Sequence, residues 1–340
     1  MDPSTARFIG FAAFSAIALA AGYALRRRGV LHEDASRPVH LHTLLWLWSP
    51  ITVFAFWRIE LSPQLIVIML LQPLLMAFGW GCAALAARLL RLPPRQAGVL
   101  VLASALTNQG FTLGGYLCYT LLDPPIEAMS YAIAFVTSMQ VFMVVIFYPV
   151  ARYYELHMRR PPPGVAGGGD AAPAAEKLPP LPKLVAGSFL DVRAMPLFGA
   201  IVGVCINAAG AEFPPAVKDY HLLDIAFFVG AAGSYLGIGL RLRLGDVRRC
   251  VPQHAALVAI KFLAMPALAF GLIAALRLTP WALSPMPIDV VLICSACPSA
   301  INAVIISNLF HLDARLASIL WLANTTLFVL LVLPVIVAVF

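Results

Sequence analysis

Two short polar segments interrupt otherwise apolar stretches of this chain: Thr107-Asn108-Gln109-Gly110-Phe111 and Cys297-Pro298-Ser299-Ala300-Ile301-Asn302. In hydrocarbon no lipid atom can satisfy the backbone groups that a helix break frees, so such segments persist only where they line a site or are buried in protein. A break exposes one half-helix N-terminus, with free N–H groups and partial positive charge, and one half-helix C-terminus, with free carbonyls. The first attracts anions, and the second attracts cations or donors. The expected chemistry is therefore the binding of a small charged solute. Asn108 and Gln109 add donor and acceptor side chains, and Gly110 permits an unusual backbone turn. Pro298 lacks an N–H and clashes with the preceding turn. At helical spacing Ser299 and Asn302 lie one turn apart and share a face. Thr107 and Phe111 flank the first break as lesser candidates.

Lys261 is the other outlier. It lies roughly ten residues into an apolar run, so ~15 Å deep at ~1.5 Å per residue, near the midplane of a ~30 Å hydrocarbon core. No Asp or Glu lies comparably deep. A charge there without an acidic partner is a functional hypothesis by default. Three roles are open to it: attracting an anionic substrate, bracing the broken helices through their carbonyls, or occupying the place of a coupling cation. Asn207 is a lesser pocket candidate, and so is Gln140. Gln140 and Asn324-Thr325-Thr326 also read as polar contacts between helices. His40, His42 and His254 fall near the starts of apolar runs and read as interfacial, as do the tryptophans. Gln72-Pro73 and Met265-Pro266 read as kinks.

The elements that must position these residues are membrane helices. The 340 residues are 61% hydrophobic and 11% charged, with mean hydropathy +0.89, far from soluble composition. Ten spans are expected at 8–25, 39–57, 63–89, 96–122, 126–150, 194–210, 220–241, 252–276, 288–310 and 316–340, most of them reaching the ~20 apolar residues that a crossing needs. The two breaks fall in spans 4 and 9. The net charge of +7 does not signal nucleic acid, because most basic residues sit in the short loops after odd-numbered spans. That bias places those loops in the cytoplasm and both termini outside. Residues 151–193, rich in Pro, Gly and Ala, read as a flexible cytoplasmic linker. It divides the chain into a first five-helix repeat (1–150) and a second (194–340). An odd number of spans per half inverts the second repeat relative to the first. Ala20-Ala21-Gly22 and Ala208-Ala209-Gly210 are weak echoes between the halves. The six cysteines form no disulfide framework. No cofactor motif, metal-ligand cluster or catalytic constellation is present.

Cys297-Pro298-Ser299-Ala300-Ile301-Asn302 through Leu312-Asp313-Ala314-Arg315-Leu316-Ala317-Ser318, with Asn324-Thr325-Thr326 and Leu333-Pro334, resembles the C-terminal part of the auxin efflux carrier family. Asn108-Gln109-Gly110-Phe111 resembles that family's Asn-Thr-Gly-Phe element, and Lys261 followed by Pro266 looks like its span 8 pattern. The resemblance covers the whole chain loosely and the last third well. It implies an all-α membrane fold of ten helices, shared with bile-acid, arsenite and riboflavin-type transporters, with broken helices crossing at the site. It implies a scaffold part and a transport part, elevator-type movement, a homodimer, and an organic anion substrate such as an indole-3-acetate-like molecule or a dicarboxylate. Carried over by position, Asn108 and Pro298 are the crossover residues. Gln109 and Gly110 stand where plant carriers have a proline, and the linker is shorter, which suggests a prokaryotic-type member in a plasma or inner membrane. The expected function is thus a uniporter or efflux carrier, with Asn108, Gln109, Gly110, Pro298, Ser299, Asn302 and Lys261 at the substrate. The alternatives are a Na⁺-coupled symporter of the bile-acid type and a ligand-sensing receptor.

Overall fold

The computed structural model describes residues 3–57, 63–109, 113–157, 187, 192–220, 222–242 and 250–340. Linker residues 158–186 and 188–191 lie outside the described residues, as do Gly110 and Phe111 of the first break. The described residues are mostly helical, and no strand occurs among them. We number the longer helices α1 (Pro3–Arg27), α2 (36–57), α3 (Pro63–Leu89), α4 (Pro94–Ala105), α5 (Gly114–Leu121) and α6 (125–157). They continue with α7 (Met195–Ala208), α8 (Leu222–Arg241), α9 (Val251–Leu276), α10 (Pro285–Ser295), α11 (Ile301–Leu309) and α12 (Ala314–Val339). Of these, α3, α9 and α12 are each long and apolar enough to cross a membrane unaided, and α7 and α10 are shorter apolar helices. The apolar stretches 96–122 and 288–310 are each split, into α4 with α5 and α10 with α11.

Four helices contain one widened π-type turn: Leu44–Trp48, Met143–Phe147, Ile260–Ala264 and Phe328–Val332. Each is followed, after a single intervening residue, by a proline: Pro50, Pro149, Pro266 and Pro334. A proline inside a helix lacks an N–H and pushes its ring against the carbonyl four residues back. That carbonyl belongs in every case to the widened turn, where the extra residue gives it room. The expected kink at Met265-Pro266 is thus a local widening of the helix. Pro73 stands inside α3 with no such turn.

The helices pack as two bodies. In the first, α1 lies against α8 and α2 against α7, with α8 also meeting α2. Small residues allow the backbones to touch. A Cβ on Gly22 would strike the Leu236 carbonyl, and one on Gly239 would strike the Leu19 carbonyl. Gly199 and Gly203 meet the Ser49 and Val53 carbonyls of α2 in the same manner. Gly210, which the sequence echo matched to Gly22, does something else. It ends α7 with φ 68° and faces open space, a helix-terminating glycine.

The second body gathers α3, α4, α5, α6 and α9–α12. Its centre is the interrupted pair. Every residue of α4 from Ala97 to Ala105 is buried, and so is every residue of α11 from Ala303 to Leu309. A helix apolar nearly all round belongs inside protein, which agrees with the sequences of these buried stretches, where Ser104, Ser307 and Asn308 are the polar exceptions. The bodies are joined by a buried polar cluster. The Asn308 amide at the end of α11 donates to Ser36 Oγ (2.8 Å) and lies 3.0 Å from His40 Nδ1 on α2. Ser36 Oγ in turn donates to the Gly237 carbonyl (2.6 Å), and His40 Nε2 is 3.1 Å from the Ser234 carbonyl. His40 is 1% exposed, so it is a buried linking residue and not the interfacial one expected. Outside this cluster Glu33 pairs with both Arg26 (3.3 Å) and Arg315 (2.9 Å).

Candidate functional site

The two breaks meet. Beyond α4 the chain turns extended at Leu106 (φ −89°, ψ 121°), and ahead of α11 it is extended at Ala300 (φ −72°, ψ 148°). Between them Thr107 and Ser299 form an antiparallel bridge. The Asn108 N–H donates to the Pro298 carbonyl (2.8 Å), and the Ala300 N–H donates to the Leu106 carbonyl (2.9 Å). Each break therefore satisfies backbone groups that the other leaves open, as buried backbone must. On the far side of the first break the chain folds back tightly. The Gly114 N–H donates to the Asn108 carbonyl (3.2 Å) and the Gly115 N–H to the Gln109 carbonyl (3.0 Å). A Cβ on Gly114 would sit 2.7 Å from the Gln109 Cα, so only glycine fits there.

Two side chains from neighbouring helices brace the crossing. Lys261 sits in the widened turn of α9 with 0% exposure. Its ammonium donates to the Leu106 carbonyl (3.1 Å) and to Thr107 Oγ1 (2.6 Å). Of the three roles open to it from sequence, these contacts are those of a brace on broken backbone. The charge also sits at the carbonyl end of α4, where a helix favours a cation. On the other side, Asn324 Oδ1 of α12 accepts the Ser299 N–H (2.9 Å). Asn324 is 0% exposed. By sequence alone Asn324 reads as a general polar contact between helices. The available signal was a polar residue in an apolar run, without its address.

Around the crossing, buried polar atoms have no partner among the described residues: both amide atoms of Gln109, Ser299 Oγ and Asn324 Nδ2. Buried side-chain polar atoms are nearly always hydrogen-bonded, so each exception needs a reason. Here the exceptions border one crossing and comprise both donors and acceptors. Asn108 is 9% exposed, and its backbone is committed to Pro298 and Gly114. Pro298 supplies a carbonyl and, lacking an N–H, demands no acceptor.

Several expected placements change. Ser299 and Asn302 do not share a helical face, because Ser299 is in the extended bridge and the helix begins at Ile301. Asn302 is half-buried in the first turn of α11. Asn207 is not at the crossing; its amide donates to the Phe56 carbonyl (3.3 Å) between α7 and α2. The Gln140 side chain lies outside the described residues. Trp321 is not part of an interfacial belt: it is 5% exposed, one turn from Asn324, with its ring 5.7 Å from that of Tyr235. Cys294 and Cys297 are buried free thiols, which fits small core residues better than a redox pair.

What this arrangement can do chemically is hold a small polar or charged solute against paired half-helix ends inside an apolar body. It offers no nucleophile-base pair, and no metal-ligating cluster exists among the described residues. No curated protein matches the chain. A family model described as membrane transport protein matches residues 12–167 and 196–337, which is most of the chain and both interrupted stretches, and the chain belongs to that family of integral membrane transporters.

Proposed function

We propose that this protein is a secondary transporter of small organic anions, of the auxin efflux carrier type. The observation that carries the reading is the paired crossing of Thr107 and Ser299, bordered by the unpartnered Gln109, Ser299 and Asn324 atoms. The ten apolar stretches would form two inverted five-helix repeats, 1–150 and 194–340, with the basic loops and the linker cytoplasmic. The substrate carboxylate would lie between the N-terminal ends of α5 and α11, where the helix dipoles favour negative charge. Gln109, Ser299, Asn302 and the Asn324 amide would bond to it, with Asn108 and Pro298 fixing the backbone behind them. Lys261 would act at the C-terminal end of α4, beside the crossing, as a fixed positive charge that offsets the carbonyls there.

Alternating access would come from sliding the body that holds the crossing along the body of α1, α2, α7 and α8. The backbone-to-backbone glycine contacts support the first body, of α1, α2, α7 and α8, as the rigid partner. The test is uptake into proteoliposomes of labelled mono- and dicarboxylates, with Gln109→Leu as the paired control. The expected result is saturable uptake that Gln109→Leu reduces at least ~10-fold, the loss of about one charged hydrogen bond at ~1.5–3 kcal/mol. Ligand binding without flux would replace the transporter with a receptor.

A further inference from the structure

A tryptophan that leaves water usually brings its indole N–H to an acceptor, because the ring is apolar and its N–H is not. Two half-buried indoles of this chain do so. Trp48 Nε1 donates to Ser234 Oγ (3.4 Å), and Trp57 Nε1 donates to the Ala211 carbonyl (2.9 Å). Trp321 differs. It is 5% exposed, and its Nε1 has no partner among the described residues. An indole nitrogen donates and does not accept, so the group that is missing is an acceptor.

The position of this N–H in the fold indicates where the acceptor would come from. Trp321, Asn324 and Thr325 stand at i, i+3 and i+4 on α12 and share one face. Each carries a buried polar atom with no partner among the described residues: Nε1, Nδ2 and Oγ1. Asn324 Oδ1 accepts the Ser299 N–H (2.9 Å), which ties this face to the crossing. Trp321 is three residues N-terminal to Asn324, ~4.5 Å along the axis at ~1.5 Å per residue. Its ring centroid is 5.7 Å from that of Tyr235 on α8, and α8 belongs to the other body. The stripe of unmatched polar atoms therefore runs from the crossing to the seam between the two bodies.

We propose that Trp321 is a specificity-determining residue of the solute site, whose indole N–H receives a second acceptor oxygen of an anion that has its carboxylate at the crossing. The class selected is an organic anion with a keto, hydroxyl or carboxylate oxygen about one helical turn from the first carboxylate. A site built around a buried donor rejects an analogue that leaves the donor unpaired. A plain fatty acid anion of the same length is then a poor ligand, and one bearing an ammonium sets donors against a donor. The inference deepens the transporter reading and rests on it where flux is measured; binding at Trp321 is a property of the purified protein.

The experiment uses the full chain with isotope-labelled indole nitrogens in nanodiscs, and three probes of equal chain length: levulinate with a keto oxygen, valerate with none, and γ-aminovalerate with an ammonium. The Trp321 indole resonance, one of six, is identified by its loss in Trp321→Phe. It is expected to shift saturably with levulinate and to stay in place with the other two. In proteoliposomes the KM for levulinate is expected to lie at least ~10-fold below that for valerate, the size of one matched buried hydrogen bond. Replacing Trp321 by benzothienylalanine, which keeps the ring shape and puts sulfur in place of the N–H, is expected to erase that ratio by raising the KM for levulinate alone. Trp321→Phe is expected to erase it too, and serves if the unnatural residue does not express. A Trp321 resonance that levulinate leaves unmoved overturns the proposal, and so does a KM ratio that survives both replacements. Equal uptake of levulinate and valerate without a shift overturns the role of Trp321 and leaves the transport reading standing. A saturable shift with levulinate but no uptake of any probe upholds the Trp321 site and counts against transport.

Discussion

The two breaks exchange backbone bonds as near equals, yet their braces differ in charge. The first break is held by an ammonium from α9 and the second by a carboxamide from α12. The difference follows from what each break leaves open. Leu106 and Thr107 present oxygens, so the brace must be a donor. In the second break Pro298 has no N–H, and the group left over is the Ser299 N–H, so the brace must be an acceptor. An amide that accepts with Oδ1 still has an Nδ2 donor to spare, and Asn324 Nδ2 is unpartnered. One break is thus closed by its brace, whereas the other brace keeps a free hand at the crossing.

The largest expected effect comes from the charged side. Lys261→Met removes two charged hydrogen bonds, although the Leu106 carbonyl keeps the Ala300 N–H; at ~1.5–3 kcal/mol per charged hydrogen bond the loss is about 3 kcal/mol or more, and chemical denaturation in a fixed micelle measures it. Asn324→Leu strands one buried N–H and is expected to cost less, ~1–3 kcal/mol. Asn324→Asp sharpens the contrast. It keeps the acceptor for Ser299, so stability is largely retained, but it replaces the spare donor with a negative charge. Anion uptake is expected to fall through a raised KM, read from concentration series. Thr107→Val removes one of the two Lys261 bonds and is expected to cost ~1 kcal/mol. Its effect should not add to that of Lys261→Met in a double-mutant cycle, since both changes delete one interaction. The smallest stability effect is expected from Gln109→Leu, within ~0.5 kcal/mol of wild type or stabilising, because it removes buried polar atoms that have no partner to strand. Its cost falls on substrate binding alone, and comparing melting with uptake separates the two.

Much of this was legible in the residues themselves. Polar runs in apolar stretches marked both breaks, and a buried lysine without an acid marked Lys261. What the sequence could not supply was address. Ser299 and Asn302 seemed to share a face only under the assumption of continuous helix, and the bridge to Thr107 is formed by a residue almost two hundred positions away. His40 looked interfacial because it lies near the start of its apolar run, but the partners that bury it, Asn308, Ser234 and Gly237, come from the other half of the chain. Asn324 was visible as a polar residue and invisible as a brace for the same reason. Gly22 and Gly210 carry similar neighbours, but one touches backbone and the other ends a helix.

The widened turns set the phase of the helices that carry these residues. In α9 the buried residues Leu257, Lys261, Met265, Ala269 and Ile273 recur every fourth position, and in α6 Phe135, Met139, Met143, Phe147 and Ala151 do the same. On a regular helix, at about 100° per residue, a fourth-residue stripe creeps by ~40° each step and drifts off one face over four steps. The one extra residue in Ile260–Ala264 and in Met143–Phe147 absorbs most of that creep. Pro266 thus acts at a distance as a phase-setter. Were the turn to close into ordinary helix, the residues on one side of it would rotate by ~100° relative to those on the other. Lys261 could then face the first break only if the Met265, Ala269 and Ile273 side of α9 left the core.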